Sequence, residues 1–317
     1  MEFVPLKAAR AGSDVRHVLG IDAGGTQTRA LVADETGLAL AGSRGGGANL
    51  RTHGEGGVEE VLRDVIGRAL AEAQVRPEAA ALGIAGADRP EDQTVLAAIL
   101  RRLGFERHVV VTHDAHIALV AGSPARVGVA LLCGTGSIAW GRNAKGATAR
   151  SGGWGWQIGD EGSGFWIGER AIRRALHAAD GRGPATKLER ALSEHFGIER
   201  LEQILDVVYG AEFPRHDVAR FAVRVAEAAL SGDAVAGEVL SDAAGELRSA
   251  AESVVGRLRL EDGAYDVVLS GGTFRAIPSL AEAVGKSLAS AKARVRFLEE
   301  EPVAGAVRLA IEELPPR

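Results

Sequence analysis

Residues 18–33 read VLGIDAGGTQTRALVA, and the fold can be inferred outward from this segment. A short apolar run ends in a glycine-rich turn, and a second apolar run follows that turn directly. This pattern predicts two strands joined by a sharp connection. A third apolar run at 38–43 follows the spacer at 34–37, which ends in glycine as hairpin loops often do. The segment therefore predicts a three-stranded meander.

The chain after this meander alternates between helical and extended patterns. Residues 58–74 carry apolar side chains at helical spacing, with charged residues on the opposite face. Further runs of the two kinds predict strands at 79–85 and 108–112, and helices at 91–103 and 115–121. A meander followed by alternating helices and strands indicates a mixed α/β fold.

The same order of elements begins again after residue 125. Runs at 127–133, 137–142 and 147–151 predict a second meander, and the first of these runs again ends in a glycine turn. The elements predicted next are a long helical region at 163–260, a strand at 266–269, a helix at 276–289, a strand at 294–298 and a helix at 302–312. We therefore expect a loosely ordered tail at 1–15, an N-terminal domain at 16–121 and a C-terminal domain at 122–301 of similar architecture.

The composition excludes several classes of protein. The 317 residues include 37 basic and 42 acidic side chains, for a formal charge of −5, whereas a nucleic-acid binder needs a basic face. Cys133 is the only cysteine, which excludes an intrachain disulfide and a self-contained cysteine-ligated cluster. The N-terminus lacks the apolar core of a signal peptide, and the most apolar stretch, 127–140, is shorter than the ~20 residues of a spanning helix. We expect a cytoplasmic protein with neither a membrane nor a nucleic-acid partner.

Three glycine turns follow predicted strands, at 22–27, 134–137 and 270–273. Bare glycine backbone brings amide donors close to a bulky anion, so such turns suit a polyphosphate. Asp22, at the end of the first strand, could hold Mg²⁺ through water, because this cation takes oxygen ligands. Taken singly, each turn could instead be an ordinary tight hairpin.

Two other nucleotide-binding motifs are incomplete. A P-loop that ends at Gly285-Lys286-Ser287 would need glycine at position 280, which is leucine. A dinucleotide fingerprint that starts at Gly134 would need glycine at position 139, which is alanine.

Asp114 follows the strand at 108–112 and opens the next predicted helix. A carboxylate there can take the proton from a substrate hydroxyl, and it can equally act as a helix N-cap. His113 and His116 flank it, so a His/Asp/His metal site is a third possibility. No further cluster of spaced ligands accompanies the histidines, which can also be packing and surface residues.

Residues 151–164 form the densest glycine segment, SGGWGWQIGDEGSG. Because glycine loses the most entropy on folding, a function explains this loop better than packing does. Tryptophan rings and bare backbone suit the faces and edges of a sugar, and Asp160 or Glu161 could accept sugar hydroxyls. Asp160 could also cap the helix that starts near Ser163. Asn49, in GGGANLR at 45–51, offers a donor and an acceptor, or lies in an exposed loop.

Taken in order, these segments resemble the N-acetylglucosamine kinases and the BadF/BadG/BcrA/BcrD-type ATPases, within the sugar kinase, Hsp70 and actin superfamily. The matching runs span most of residues 19–310 and are GIDAGGTQTRALV, GGGANLR, LGIAGADRP, VTHDAHIAL, LLCGTGSIAWG, SGGWGWQIGDEGSGFWIG, VVLSGGTF and EPVAGAVRLA. The resemblance implies a two-lobed actin-like ATPase fold with an RNase-H-like mixed sheet in each lobe and an active site in the interlobe cleft. It also implies that the helix at 302–317 rejoins the N-terminal lobe.

The resemblance further implies ATP and Mg²⁺ as ligands, with Asp22 directing the metal through water. The positions that match nucleotide-binding residues are Gly24, Gly25, Thr26, Gln27, Gly134, Thr135, Gly136, Gly271 and Gly272, the last two beside the adenosine. The positions that match sugar-binding residues are Asn49, Asp114, Gly153, Trp154, Gly155 and Asp160. Asp114 matches the catalytic base.

The implied activity is phosphorylation of the 6-hydroxyl of an amino sugar, N-acetylglucosamine in first place and glucosamine in second. A non-catalytic sugar or ATP sensor is disfavoured because Asp114 and Asp160 are both present. An activator of 2-hydroxyacyl-CoA dehydratases would need two cysteines per subunit, and this chain has only Cys133. We expect small-molecule partners and a homodimer, the commonest oligomer.

Overall fold

The computed structural model describes residues 15–87, 89–210, 213 and 215–316. These residues form two compact units, 15–126 with 298–316 (the first unit) and 127–297 (the second unit). The domain limits expected from the sequence, 16–121, 122–301 and 302–317, stay a prediction. The expected tail at 1–15 lies, apart from Val15, outside the described residues.

The first unit has a five-stranded sheet covered by helices on both faces. Its elements are β1 (His17–Ala23), β2 (Gln27–Asp34), β3 (Ala39–Gly46), α1 (Leu50–Ala73), β4 (Ala79–Ile84), α2 (Pro90–Arg102), β5 (Val109–His113) and α3 (Asp114–Gly122), together with the last helix of the chain, Val303–Glu312. The strand order is β3-β2-β1-β4-β5. The meander is antiparallel, whereas β4 and β5 run parallel to β1. Helices α1 and α2 pack on one face, and α3 and the last helix pack on the other.

The second unit repeats this sheet. Its elements are β6 (Gly128–Cys133), β7 (Ser137–Arg142), β8 (Thr148–Gly152), α4 (Gly164–Ala179), α5 (Leu188–Phe196), α6 (Ile204–Val208), α7 (Arg215–Leu230), α8 (Ala234–Leu258), β9 (Tyr265–Ser270), α9 (Gly272–Ala276), α10 (Pro278–Leu288) and β10 (Ala293–Phe297), and the last helix of the chain is α11. The strand order, β10-β9-β6-β7-β8, is that of the first sheet. The predicted mixed α/β fold with a repeated architecture is confirmed.

The central strands of both sheets are buried on both faces, which explains why they appear in the sequence as continuous apolar runs. All six residues of β4 and all six of β9 are buried, as expected for parallel strands covered on both faces. Cys133, at the end of β6, is buried too, and its burial raises the pKa of the thiol far above the ordinary range.

In the described part of the chain no helix combines the length and apolar character that crossing a membrane requires.

Two helix boundaries differ from the sequence-based expectation. Helix α1 begins at Leu50 rather than at residue 58, with a break at Gly54, whose φ is +65°. Apolar periodicity does not predict this first part of α1, because it contains glycines at 54, 56 and 57 and glycine has a low helix propensity. The helix expected at 276–289 is α10, which begins at Pro278 and is preceded by the short helix α9. Pro278 opens α10, and a proline disfavours helical backbone in the residue before it.

Candidate active site

The first unit gathers its predicted site residues at one edge of its sheet. Strands β1, β4 and β5 are parallel and in register, with Asp22 opposite Gly83 and Gly83 opposite Thr112. Because the carboxyl ends of parallel strands meet at one edge, Asp22 and Asp114 lie on the same edge of the sheet. With neighbouring strands ~4.8 Å apart, the ends of β1 and β5 are about 10 Å from each other.

The turn after β1 is tight and exposed. The Gly24 amide donates to the Gln27 carbonyl at 2.9 Å, while Gly25 and Thr26 face solvent. The chain after β3 lies against this turn, since the Ala48 amide donates to the Gly24 carbonyl at 2.9 Å. A Cβ at Gly47 would stand 2.6 Å from the Gly25 carbonyl carbon, so the two segments approach as closely as backbone allows.

Asn49 is fixed beside this turn rather than lying in an exposed loop. It is the N-cap of α1, and its Oδ1 accepts the Arg51 amide at 2.9 Å. Its side chain also lies against Gly86, in the loop that follows β4. Capping uses the oxygen of the Asn49 amide, which leaves its NH₂ group to donate to a ligand.

Asp114 is the first residue of α3, and the N-cap is His113. The expectation that Asp114 occupies the N-cap position is therefore corrected, because His113, the last residue of β5, occupies it. Asp114 Oδ1 accepts the Ala115 amide at 2.8 Å and lies 2.6 Å from His113 Nδ1. Among the described residues no hydrogen bond reaches Oδ2 of this carboxylate, whose side chain is 18% exposed. Asp114 thus offers one oxygen to a substrate.

The second unit joins two of its glycine turns through backbone. Strands β6 and β9 are parallel with Leu132 opposite Ser270, so the turns after them share one edge of the sheet. The Thr273 hydroxyl donates to the Gly134 carbonyl at 2.8 Å, and the Gly164 amide donates to the same carbonyl at 2.9 Å. The expected phosphate turn at 134–136 and the expected adenosine turn at 271–272 therefore form one backbone surface.

The loop at 152–162 folds onto this surface. The Gly153 amide donates to the Ser137 carbonyl at 3.0 Å, and the Ser137 hydroxyl donates to the Glu161 carbonyl at 2.7 Å. Asp160 is 6% exposed, adopts the left-handed conformation with φ +56° and accepts the Gly155 amide at 3.0 Å. Ser163, not Asp160, caps α4, because the Ser163 side chain accepts the Trp166 amide. The capping alternative for Asp160 is therefore wrong.

The two tryptophans of this loop have different surroundings. Trp156 stacks on Phe213 with ring centroids 5.1 Å apart and meets Phe165 edge-on at 5.2 Å, so it is a packing residue. Trp154 is 64% exposed, and the Arg150 guanidinium lies over its ring, with the guanidinium carbon 4.3 Å from the ring centroid. The sequence indicated both rings as sugar-binding, and only Trp154 presents its surface. The sequence analysis does not identify Arg150 as a neighbour of Trp154, because no local sequence pattern indicates a cation–π contact.

Burial of Asp160 has a consequence for stability. Desolvation raises the pKa of Asp160 above its ordinary value of about 3.8, although the Gly155 amide and the Arg215 charge oppose the rise. Well below pH 3.8 the carboxyl is protonated both in the folded and in the unfolded chain. As the pH rises, the unfolded chain releases this proton first, and the folded state loses stability relative to it.

We therefore expect Asp160→Asn to raise the free energy of unfolding at pH 7, with the gain vanishing as the pH falls to about 4. The asparagine Oδ1 can still accept the Gly155 amide, which is the stronger of the two backbone hydrogen bonds to this side chain, the other coming from Ser137. Urea unfolding followed by tryptophan fluorescence measures the difference, since all four tryptophans lie in the second unit. A loss of stability at pH 7 would contradict the expectation.

A remaining alternative is that the described side chains form a metal-binding cluster by themselves. Among residues 15–87, 89–210, 213 and 215–316, no group of three His, Cys, Asp or Glu side chains could hold a metal ion. His116 Nδ1 lies 2.9 Å from the Thr112 hydroxyl, which gives this histidine a packing contact. The His/Asp/His metal alternative at 113–116 therefore has no support.

Comparison with known proteins decides the family. The sequence pattern of the BadF/BadG/BcrA/BcrD ATPase family matches residues 19–310. The chain belongs to this family. Membership confirms the resemblance drawn from the motifs and the use of ATP as substrate.

Two curated relatives of this family member match it over nearly their whole length. The N-acetylmuramic acid/N-acetylglucosamine kinase of Clostridium acetobutylicum is 33% identical over 94% of this chain and 99% of the relative. The N-acetyl-D-glucosamine kinase of Dictyostelium discoideum is 30% identical over 92% of this chain and 97% of the relative. The matched lengths exclude a similarity confined to the nucleotide turns.

Solved structures confirm the fold of this family member. A Chromobacterium violaceum protein named as a candidate N-acetylglucosamine kinase has a TM-score of 0.76 at 26% identity, covering 93% of this chain and 99% of its own. The ROK family glucokinase of Streptomyces griseus has a TM-score of 0.58 at 20% identity, covering 93% and 98%. The actin-like ATPase architecture expected from the sequence, a mixed sheet with flanking helices in each half, is confirmed.

Proposed function

We propose that this chain is an ATP-dependent kinase of an amino sugar, with N-acetylglucosamine as its substrate and the 6-hydroxyl as the acceptor. The names of the two curated relatives support this activity. The observation that carries the proposal is the edge of the first sheet. The strand ends that lead into an exposed glycine turn and into a carboxylate with one available oxygen are about 10 Å apart there, a spacing that suits a phosphoryl group and a hydroxyl between them.

In this proposal, glycine turns of each unit supply the residues that bind ATP. In the first unit, the backbone at Gly24, Gly25 and Thr26 receives the β- and γ-phosphates. Gln27 borders this turn, and its Oε1 accepts the Arg29 guanidinium at 3.0 Å, which directs the side chain along β2. In the second unit the contacts come from the second phosphate turn and the turn beside the adenosine, residues Gly134, Thr135, Gly136, Gly271 and Gly272.

Magnesium fits the donor chemistry of the first turn. Mg²⁺ keeps several waters and is usually held by one or two carboxylates together with substrate phosphates. Asp22, half-buried at the end of β1, supplies one such carboxylate next to the turn. When bound, the cation neutralises charge on the phosphates. Asp22 would hold the cation through its water ligands.

The sugar contacts come from side chains with unused polar groups or open faces. This set consists of the Asn49 NH₂ group, the face of Trp154, the backbone of Gly153 and Gly155, and Asp160. Asp114 Oδ2 accepts the proton of the 6-hydroxyl. The oxygen so released forms its bond to the γ-phosphorus as the bond from phosphorus to the β-γ bridging oxygen breaks, and ADP leaves with that electron pair.

A kinase assay across related sugars tests the proposal. With MgATP and a coupled readout of ADP, we expect the highest kcat/KM for N-acetylglucosamine, with glucosamine, N-acetylmannosamine, glucose and N-acetylmuramic acid as the other arms. A higher value for glucosamine would make the alternative substrate the correct one. Sugar-dependent ATP binding without ADP release in every arm would instead establish a sensor.

The proposal also includes a homodimer, checked by light scattering, and a cytoplasmic location.

A further inference from the structure

His113 and Asp114 form a close pair at the junction of β5 and α3. His113 is the last residue of β5 and is 7% exposed, and its Nδ1 lies 2.6 Å from Asp114 Oδ1. The same nitrogen lies 3.1 Å from the Ala115 amide nitrogen. Asp114 Oδ1 in turn lies 2.8 Å from that amide. Three polar atoms thus meet at this junction, and either one or two protons lie between them, depending on which ring nitrogen of His113 is protonated.

The short contact decides this question. An unprotonated Nδ1 would direct its lone pair at a carboxylate oxygen 2.6 Å away, and two acceptors at that distance repel. A protonated Nδ1 instead donates a short charge-assisted hydrogen bond to that oxygen. The Ala115 amide then donates to Asp114 Oδ1, which is the nearer of its two acceptors, so every donor in the group has a partner.

We infer that His113 carries a proton on Nδ1, donates it to Asp114 Oδ1 and is the positioning residue of the catalytic base. This inference rests on the proposed function for its consequence, although the hydrogen bond itself does not. Oδ1 is then held by two donors, one on each side of the junction. The carboxylate is held in one orientation, which leaves Oδ2 to receive the proton of the sugar hydroxyl.

The protonation state can be measured without any activity. In ¹⁵N-labelled protein at pH 7.5, long-range proton–nitrogen correlation spectra of the imidazole rings distinguish protonated from unprotonated nitrogens. The His113 signals are assigned by their loss in His113→Asn. We expect Nδ1 of His113 to be protonated. A ring protonated on Nε2 alone would overturn the inference, whether or not the chain phosphorylates a sugar.

Two substitutions measure what the contact does for turnover. His113→Phe keeps an aromatic ring but has no donor, and we expect kcat to fall about 10- to 100-fold with the KM values for sugar and ATP within about threefold of wild type. His113→Asn can cap α3 through its oxygen and donate through its NH₂ group, so we expect it to recover most of the lost kcat. Thermal melts of both variants show how much folded enzyme each assay contains.

The outcomes separate the inference from its parent proposal. An unchanged kcat in His113→Phe, or a loss in His113→Asn as large as in His113→Phe, would overturn the positioning role. A wild-type enzyme without sugar kinase activity but with the Nδ1-protonated ring would overturn the proposed function and leave the hydrogen bond established.

Discussion

Asp114→Asn is expected to lower kcat by about 10²- to 10⁴-fold while sugar and ATP binding stay close to wild type. An asparagine has nearly the size of the aspartate, and its Oδ1 can still accept the Ala115 amide that holds the side chain. Its amide cannot take up the proton of the attacking hydroxyl. Steady-state assays of ADP release give kcat, and calorimetric titrations with sugar and with a non-hydrolysable ATP analogue give the two affinities.

Asp64→Asn is the matched control for this experiment. Asp64 lies on the exposed face of α1 and pairs with Arg68 one turn later, at 2.8 Å. An exposed pair of this kind contributes little to stability, so the control enzyme should turn over at the wild-type rate. Near-normal turnover by Asp114→Asn would remove this residue from the role of base.

Gly271→Ala is expected to destabilise the second unit by roughly 3 to 5 kcal/mol, since a glycine-only backbone conformation and an overpacked contact each cost about 1–3 kcal/mol. Gly271 has φ +121°. A Cβ there would stand 2.6 Å from the Cys133 carbonyl carbon and 2.9 Å from its amide nitrogen. Both neighbours are backbone of a buried strand and cannot move aside. Urea unfolding followed by tryptophan fluorescence reports on this unit.

Gly272→Ala is the control one residue along the chain. A Cβ at Gly272 would meet no atom within 4 Å, and the residue is the first of α9. Its unfolding midpoint should therefore match that of wild type. If Gly271→Ala unfolded at the same urea concentration as Gly272→Ala, the close contact between the turn and β6 would be wrong. In Gly272→Ala the KM for ATP separately tests whether the nucleotide approaches this bare backbone.

The order of the elements could be predicted from the sequence, and so could the edge of each sheet at which the candidate site residues lie. Apolar runs of strand length followed by glycine turns predicted β1, β6 and β9, because a buried strand must exclude polar residues and its exit must turn sharply. Asp114 was identifiable for the same reason, as a carboxylate directly after such a run. Only packing could reveal that His113 occupies the N-cap position of α3 and that Asn49 caps α1, since both depend on which backbone amides remain unpaired after folding.

The tertiary structure alone decided how distant residues constrain one another. Asp160 lies where a Cβ at Gly136 would stand, 24 residues earlier in the chain, and its burial there sets the direction of its pKa shift. Trp154 and Trp156 are two positions apart, yet one is open to solvent and the other is packed against Phe165. Periodicity records which residues are apolar. It does not record which neighbour covers them, because burial and hydrogen bonding are properties of contacts between segments that are far apart in sequence.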